Sequence, residues 1–418
     1  MYRIRIPYSE LIIKIAFFIF FFFTFFPTSP PFERGYIESE RGTDSITEGN
    51  PLNQLIKIIV FILTLLASIY NFDKIISFVK KEKFLILLLA WSLITIFWSD
   101  VPIVTLKRWF QIFIIYFLII TFFTYFSVSE GVKIIKYIIY PYIIITIISC
   151  LFIAGAKDPQ FGTWRGLTNH KNSLGQMGVI LSVLTLILVF MEKTIITKRV
   201  AVLFFILSII ITLATLSSTS YVALFIFLSV TLLFWIKTQI FGRLGVQNSL
   251  LVYLISVGIL TLIIAMIFFP EFPDLIQGIF GKSETWYDRG KLWKVIFWEI
   301  SQHPLLGCGF NAFWTIENPK MHVVHLTFIW LPKSAHNGYL DMINEIGLVG
   351  LTLFIIMIFK NIVRSIRYEL LTPWLWFLIL PLIINVTESN FFRVGSGNVP
   401  LIILAYFVIE KLLNNISE

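Results

Sequence analysis

Apolar windows of about twenty residues recur along the whole chain, and this repetition constrains the fold more than any single motif. A bilayer core about 30 Å thick takes about 20 apolar residues per helix. Twelve windows are predicted to be spans, at roughly 8–26, 53–72, 84–99, 109–126, 132–154, 173–191, 199–216, 219–236, 250–269, 338–359, 373–387 and 398–413. Charged residues make up 14% of the chain, against about 25% in soluble domains. The expected fold is all-α: a polytopic membrane protein of about 12 transmembrane helices. It reads as a single integral membrane domain, 1–418, with one long outer loop at 270–337 between spans nine and ten that contains short amphipathic helices. An outer-membrane barrel is excluded, because the apolar runs are continuous and do not alternate.

The first span begins like a signal peptide, with Arg3 and Arg5 before an apolar run. Phe25-Phe26-Pro27 stands where a small-x-small cleavage site would be needed, so the segment is read as a retained span. Placing the N-terminus in the cytoplasm puts 17 Lys and Arg in inner segments and 14 in outer ones. Six of the 14 lie in the long loop 270–337. Long loops translocate largely regardless of charge, so the comparison that sets orientation is 17 against 8. Both termini are therefore expected to be cytoplasmic. The net charge of +9 is mostly this topological bias. The basic residues are scattered over loops rather than gathered in a patch, which argues against nucleic-acid binding.

In that topology all five histidines (His170, His303, His322, His325 and His336) fall in outer segments, with Arg165, Lys171, Arg289 and Arg393. The inner segments hold short Lys/Arg loops and no Gly-x-x-x-x-Gly-Lys nucleotide loop, which argues against an ATP-driven pump. Cys150 and Cys308 are topologically able to pair, but nothing in the sequence supports the geometry a disulfide needs.

Three outer segments carry chemistry. The first is Trp164-Arg165-Gly166-Leu167-Thr168-Asn169-His170-Lys171-Asn172-Ser173, ahead of span six. A helix start offers unpaired N–H groups and a partial positive charge. Arg165 and Lys171 added to it make a cradle for a diphosphate. The plainer alternative is a solvated loop capped by Asn172 or Ser173. The second runs Tyr287-Asp288-Arg289-Gly290-Lys291-Leu292-Trp293-Lys294-Val295-Ile296-Phe297-Trp298-Glu299-Ile300. Asp288 is a candidate cap for a short helix ending at Pro304. Leu292, Trp293, Ile296, Phe297 and Ile300 share one face, expected to lie in the outer membrane interface. Arg289, one turn before Trp293, is placed to reach a lipid headgroup; plain interfacial anchoring explains the tryptophans without it.

The third segment is Ser334-Ala335-His336-Asn337-Gly338-Tyr339-Leu340-Asp341 with Asn344, Glu345, Gly347 and Gly350. A helix starting near His336 puts Asn337, Asp341 and Glu345 on one face. The helix dipole accounts for Asp341. Glu345 lies deeper in the apolar run and needs a basic partner or a water-filled cleft. His336 at the mouth has the ordinary pKa of about 6.5 that suits a general base. His322-x-x-His325 with His336 is too weak a spacing to read as a metal site. The outer loops hold no Asp-x-Asp, and Glu38-Ser-Glu40 is the nearest approach.

These residues resemble the O-antigen ligase and O-antigen polymerase (Wzy-type) superfamily of bacterial envelope enzymes. The matching pieces are Trp98-Ser99-Asp100 with Arg108, Gly166 to Asn172, Ser217-Ser218-Thr219-Ser220, and Arg289 with Trp293. Pro304-Leu305-Leu306-Gly307-Cys308-Gly309 and His336-Asn337-Gly338 with Glu345 and Gly347 complete the set. The His170-Lys171-Asn172 version is most similar to exopolysaccharide polymerases. Ser218-Thr219-Ser220 departs from the pattern, since many relatives carry an arginine after the first serine.

The resemblance implies a metal-independent glycosyltransferase without cofactors, in the bacterial inner membrane, with its active site facing the periplasm. The implied donor is an undecaprenyl-diphosphate-linked oligosaccharide. The implied acceptor is another lipid-linked repeat unit (polymerase) or lipid A core (ligase), with membrane lipids and a chain-length regulator as further partners. It assigns His336 as base and Arg165 and Arg289 as diphosphate ligands. Lys171, His170, Arg108, Asn337 and Glu345 are substrate-binding candidates. A transporter or lipid-linked flippase would instead carry ionisable residues along several spans and often repeat symmetry. No internal repeat is seen, and intramembrane charge concentrates at Asp341 and Glu345. A scaffold of an export complex would not need clustered His and Arg.

Overall fold

The computed structural model describes residues 8–28, 50–158, 162–240, 284–321, 324, 328, 332–367, 373–393 and 398–417. Among them every element is helical and no strand forms; a bridge pairs Lys157 with Trp164. Helix α1 is Tyr8–Phe25. Helix α2, Pro51–Ser68, continues through a 3-10 turn into α3, Phe72–Lys81. Then come α4 (Lys83–Ile94), α5 (Pro102–Tyr125), α6 (Val128–Phe152), α7 (Lys171–Met191), α8 (Ile195–Ala214) and α9 (Ser218–Ile240). The remainder are α10 (Glu284–Gln302), α11 (Gly338–Arg367), α12 (Pro373–Ile384) and α13 (Asn398–Ser417).

A helix stands at every predicted span in the described residues; the span expected at 250–269 lies outside them. Among the described residues seven helical stretches are long and apolar enough to cross a membrane, and Lys83–Phe97, Ser218–Ser229 and Trp374–Ile384 are shorter apolar helices. The protein is an all-α polytopic membrane protein. Its outward surface agrees: Leu55, Ile58, Ile59, Ile62, Leu65 and Leu66 of α2 are all exposed, a stripe that suits lipid rather than water as solvent.

Local chemistry sets the helix ends. Asn50 caps α2, with Pro51 as first residue, and a reciprocal Ser127–Glu130 capping box starts α6. The centre of the bundle is α7, 83% of whose apolar window is buried, against 22–44% for the other six. Small residues let its neighbours approach. A Cβ on Gly178 would strike Thr212 of α8, and one on Gly175 would strike Ser220 of α9.

The apolar run at 338–359 predicts an unbroken span, but α11 breaks at Gly347, which has φ +70° and ψ 179°. The segment 304–309 lies in the break. Cys308 and Gly309 donate to the carbonyls of Asn344 and Glu345, both at 2.9 Å. Leu348 and Val349 donate back to Pro304 (2.9 Å) and Leu305 (3.4 Å), and Trp91 Nε1 donates to the Ile346 carbonyl at 2.8 Å. Irregular backbone at membrane depth is tolerated only where protein satisfies it, and here it does. A Cβ on Gly347 would collide with the Leu305 carbonyl. Cys150 and Cys308 are both free and buried, so they do not pair.

The far end of α11 carries a tightly paired ionic network. Lys360 bridges Glu82 and Glu410, each at 3.3 Å, and Arg364 reaches Glu410 at 2.7 Å. Tyr406 donates to Glu82 at 2.6 Å, and Arg364 to Asn414 at 3.2 Å.

Candidate active site

The start of α11 is built one residue at a time. Asn337 caps it, its Oδ1 accepting from the N–H groups of Tyr339 (3.0 Å) and Leu340 (3.1 Å). His336, just before the cap, has φ +50°, a left-handed conformation uncommon outside glycine and met more often at functional positions. The Gly338 N–H donates to the carbonyls of Asn385 (2.8 Å) and Glu388 (3.0 Å). A Cβ at Gly338 would run into the Asn385 side chain. Turn, cap and close approach thus account for the order His-Asn-Gly. The partner turn, 385–391, is shaped by Asn385, whose Oδ1 accepts from the N–H groups of Asn390 (2.7 Å) and Phe391 (3.0 Å).

That docking brings Glu388 beside His336. Glu388 Oε2 lies 3.8 Å from His336 Nδ1, and Oε1 lies 4.0 Å from Arg289 Nη2. Both distances exceed hydrogen-bond length, so these are charge neighbours. Asn172 Nδ2 donates to Glu388 Oε1 at 3.2 Å, and Arg289 Nη1 to the Thr387 carbonyl at 3.1 Å. Thr387 also bonds Thr219 through the two hydroxyls at 3.0 Å, which is how the serine-rich motif at the start of α9 touches the site. Burial pushes the Glu388 carboxyl up, but His336, Arg289 and His170 outweigh it and hold it below the ordinary carboxylate range. Burial lowers the Arg289 guanidinium, and Glu388 acts in the opposite direction. The His336 side chain is 31% exposed, against 16% for Arg289 and 11% for Glu388, so the cluster opens on the histidine side.

Other expected residues lie elsewhere or act differently. His170, rather than Asn172 or Ser173, caps α7: its Nδ1 accepts from the Asn172 N–H at 3.2 Å, while the Asn172 side chain has turned to Glu388. Burial lowers the His170 pKa, in keeping with a neutral ring that accepts at this nitrogen. Lys171 is the first residue of α7. Arg165 is buried, and its Nε donates to the Gly155 carbonyl at 3.0 Å within the turn preceding α7. Asp288 is not a cap, because α10 already begins at Glu284.

The face of α10 expected in the membrane interface is instead packed on protein. Leu292, Trp293 and Ile296 are buried, with Ile300 packed against them, and Trp293 Nε1 donates to the Ala335 carbonyl at 2.7 Å. Phe297 alone of that expected face is exposed. The Ala335 contact links the helix of Arg289 to the residue preceding His336.

Arg108 and Glu345 belong to a second cluster below the first. Arg393 Nη1 lies 3.4 Å from Glu345 Oε1 and 3.8 Å from Asp341 Oδ2. Asn311 N–H donates to Glu345 Oε2 at 3.0 Å, and Arg108 donates to the Asn311 carbonyl. Asp341 Oδ1 accepts from Trp314 Nε1 (2.7 Å) and the Ala335 N–H (3.1 Å). The basic partner that Glu345 needs is Arg393, and these contacts tie segments 308–314 and 333–335 onto α11. Among the described residues no three His, Cys, Asp or Glu side chains gather as a metal site; His322 and His325 lie outside them.

Residues 202–355 match the O-antigen ligase family model. Over 83 residues the chain is also 31% identical to the exopolysaccharide production protein ExoQ of Rhizobium meliloti (strain 1021), a stretch covering 19% of each protein. The resemblance to the O-antigen ligase and polymerase family is borne out. The similarity supports an enzyme of the polysaccharide ligase or polymerase class. The family match holds Arg289, His336, Asn337, Glu345 and Gly347, but Arg165, His170 and Glu388 fall outside it. Glu388 also went unread in the sequence. Its signal was there: Asn385-Val386-Thr387-Glu388-Ser389-Asn390 is a polar run closing an apolar span, yet nothing local says that its carboxylate faces His336.

Proposed function

We propose that the chain is a membrane glycosyltransferase of the bacterial inner membrane, a single integral domain with both termini in the cytoplasm and its site on the periplasmic face. It transfers glycan from an undecaprenyl-diphosphate-linked donor to a sugar hydroxyl, polymerising repeat units of an exopolysaccharide or O-antigen. The observation that carries this reading is one carboxylate, Glu388, set within 4.0 Å of both His336 and Arg289. Transfer needs a base for the acceptor proton and a cation for the departing diphosphate, close together.

In this reading the acceptor hydroxyl gives its proton to His336 as its oxygen bonds to the anomeric carbon. The bond from that carbon to the diphosphate oxygen breaks, and the electron pair leaves on the diphosphate. With Nδ1 turned to Glu388, Nε2 is the nitrogen that takes the proton, and the anionic Glu388 stabilises the imidazolium that forms. The same division of labour serves Ser-His-Asp triads. Arg289 meets the charge growing on the leaving group, usually the largest catalytic contribution. Its 4.0 Å contact with Glu388 is loose enough to be exchanged for diphosphate oxygens. Arg165 keeps its place as a second diphosphate ligand on the resemblance alone, since its contact with Gly155 anchors a turn. Arginine rather than a divalent ion neutralises the diphosphate, and the sugar–diphosphate bond supplies the energy.

A second reading, an O-antigen ligase acting on lipid A core, is favoured by the description of the matching family, whereas the ExoQ stretch favours polymer production. Surface glycan from a deletion strain separates them on a gel. A polymerase loses the length ladder while single repeats still reach lipid A core. A ligase leaves long chains on undecaprenyl diphosphate. An unchanged glycan profile would overturn both.

A further inference from the structure

Helix α10 has a second face that the proposed chemistry does not use. At about 100° per residue, the buried positions Leu292, Trp293, Ile296 and Glu299 fall in one arc and Lys291, Lys294, Trp298 and Ser301 in the opposite one. Trp298 is 60% exposed and stands between the two lysines on the helix surface, with Phe297 at its flank. Beyond the helix end, Leu305 and Leu306 are 59% and 46% exposed. These four large apolar side chains exposed on α10 and the segment after it form a surface that water does not favour.

We propose that this face is seated in the bilayer leaflet at the His336 end of the bundle, with Lys291 and Lys294 on anionic lipid phosphates and Trp298, Leu305 and Leu306 among the upper acyl carbons. Two observations favour lipid over a second protein. The first is continuity. Leu305 and Leu306 press on the break at Gly347, and Leu348 donates to the Pro304 carbonyl. Leu348 is itself exposed, and the outward stripe of α11 runs on from it through Ile355, Ile356 and Phe359 within a candidate membrane span. The loop leucines therefore cap a lipid-facing surface. The second is chemistry. Tryptophan between lysines is the side-chain mixture that settles at the headgroup boundary, rings in the interface and ammonium groups on phosphate.

The interfacial face is thus the reverse of the one that sequence periodicity selects, because Leu292, Trp293 and Ile296 are taken by the protein core. The clamp of Lys320 on Glu299 (2.6 Å) and Asp100 (3.2 Å) holds α10 in this rotation. This seating stands independently of the reaction proposed above.

The test uses the full chain in nanodiscs. Trp298→Cys, Leu305→Cys and, as a control exposed beside the Lys320 clamp on the opposite side of α10, Pro319→Cys are each labelled with an environment-sensitive dye; Cys150 and Cys308 are buried and give a low background. Lipids carrying a nitroxide near the headgroup should quench the dye at 298 and 305 at least twofold more than at 319, with iodide showing the reverse order. Lys291→Glu with Lys294→Glu should reduce quenching at 298 in discs containing phosphatidylglycerol and leave it unchanged in pure phosphatidylcholine. Strong iodide quenching at 298 and 305 with no lipid effect would overturn the proposal. So would dye–dye energy transfer that replaces lipid quenching in discs loaded with two copies, since the occupant would then be a second chain.

Discussion

The two ends of α11 carry ionisable groups in different ways. At the far end, Glu82 and Glu410 are buried and met by Lys360, Arg364 and Tyr406 at 2.6–3.3 Å. At the near end, Glu388 meets His336 and Arg289 only at 3.8 and 4.0 Å, and the histidine is partly exposed. Tight pairing on all sides is what structural charges in a membrane need, because stripping ions of water costs several kcal/mol each. Looser contacts leave room for a substrate to compete for the same groups. The difference teaches that burial of charge alone does not mark a site; the distance at which the charges meet does.

Substitutions sharpen that contrast. His336→Ala should lower glycan transfer about 10²–10⁴-fold, the usual share of a general base, while leaving thermal unfolding in detergent unchanged. Glu388→Gln should act in the same direction and more weakly; normal polymer in either variant would break the assignment. Glu410→Ala should do the opposite, costing about 1–3 kcal/mol of stability by leaving Lys360 with Glu82 and Arg364 with Asn414 as their remaining partners in the network, while folded molecules keep their activity. Full stability with lost transfer would erase the distinction between the two ends. Gly347→Ala tests the break that lies between them. A left-handed alanine pressed on the Leu305 carbonyl should cost about 1–3 kcal/mol, read as a lowered Tm.

The smallest expected effect is on pH. The folded His170 pKa is lowered, chiefly by burial, among Glu388, Asp158, Lys171 and His336. The unfolded chain therefore takes up this proton first, below about pH 6.5. This contribution to stability is complete above that value and falls as pH drops toward the folded pKa, levelling off below it. Replacing His170 by Asn, which caps without titrating, should flatten that part of a Tm-against-pH curve.

Some of the site was legible before folding. His336 at a helix mouth ahead of Asp341 and Glu345 announced a candidate base, and Arg289 one turn from Trp293 announced a cation in reach of a lipid headgroup; the cap at Asn337 and the close approach at Gly338 came only from the fold. Other features were not. Periodicity assigned Trp293 to lipid, but nothing in residues 284–302 says that its indole bonds Ala335, forty-two positions away. Asn172 and Ser173 looked like the caps of α7, yet the Asn172 side chain is drawn off by Glu388 across 216 positions, and His170 takes its place.

The sequence by itself determined the class of fold and the positions of the described spans. Crossing a bilayer is a local demand on about twenty consecutive residues, and it is written in those residues. Tertiary structure alone decided that Glu388 stands between His336 and Arg289, that Arg393 answers Glu345, and that segment 304–309 fills the break at Gly347. Each of these joins groups far apart along the chain. Such a contact depends on how helices rotate and dock against one another, and that is settled by packing and hydrogen-bond satisfaction across the bundle rather than by any window of sequence.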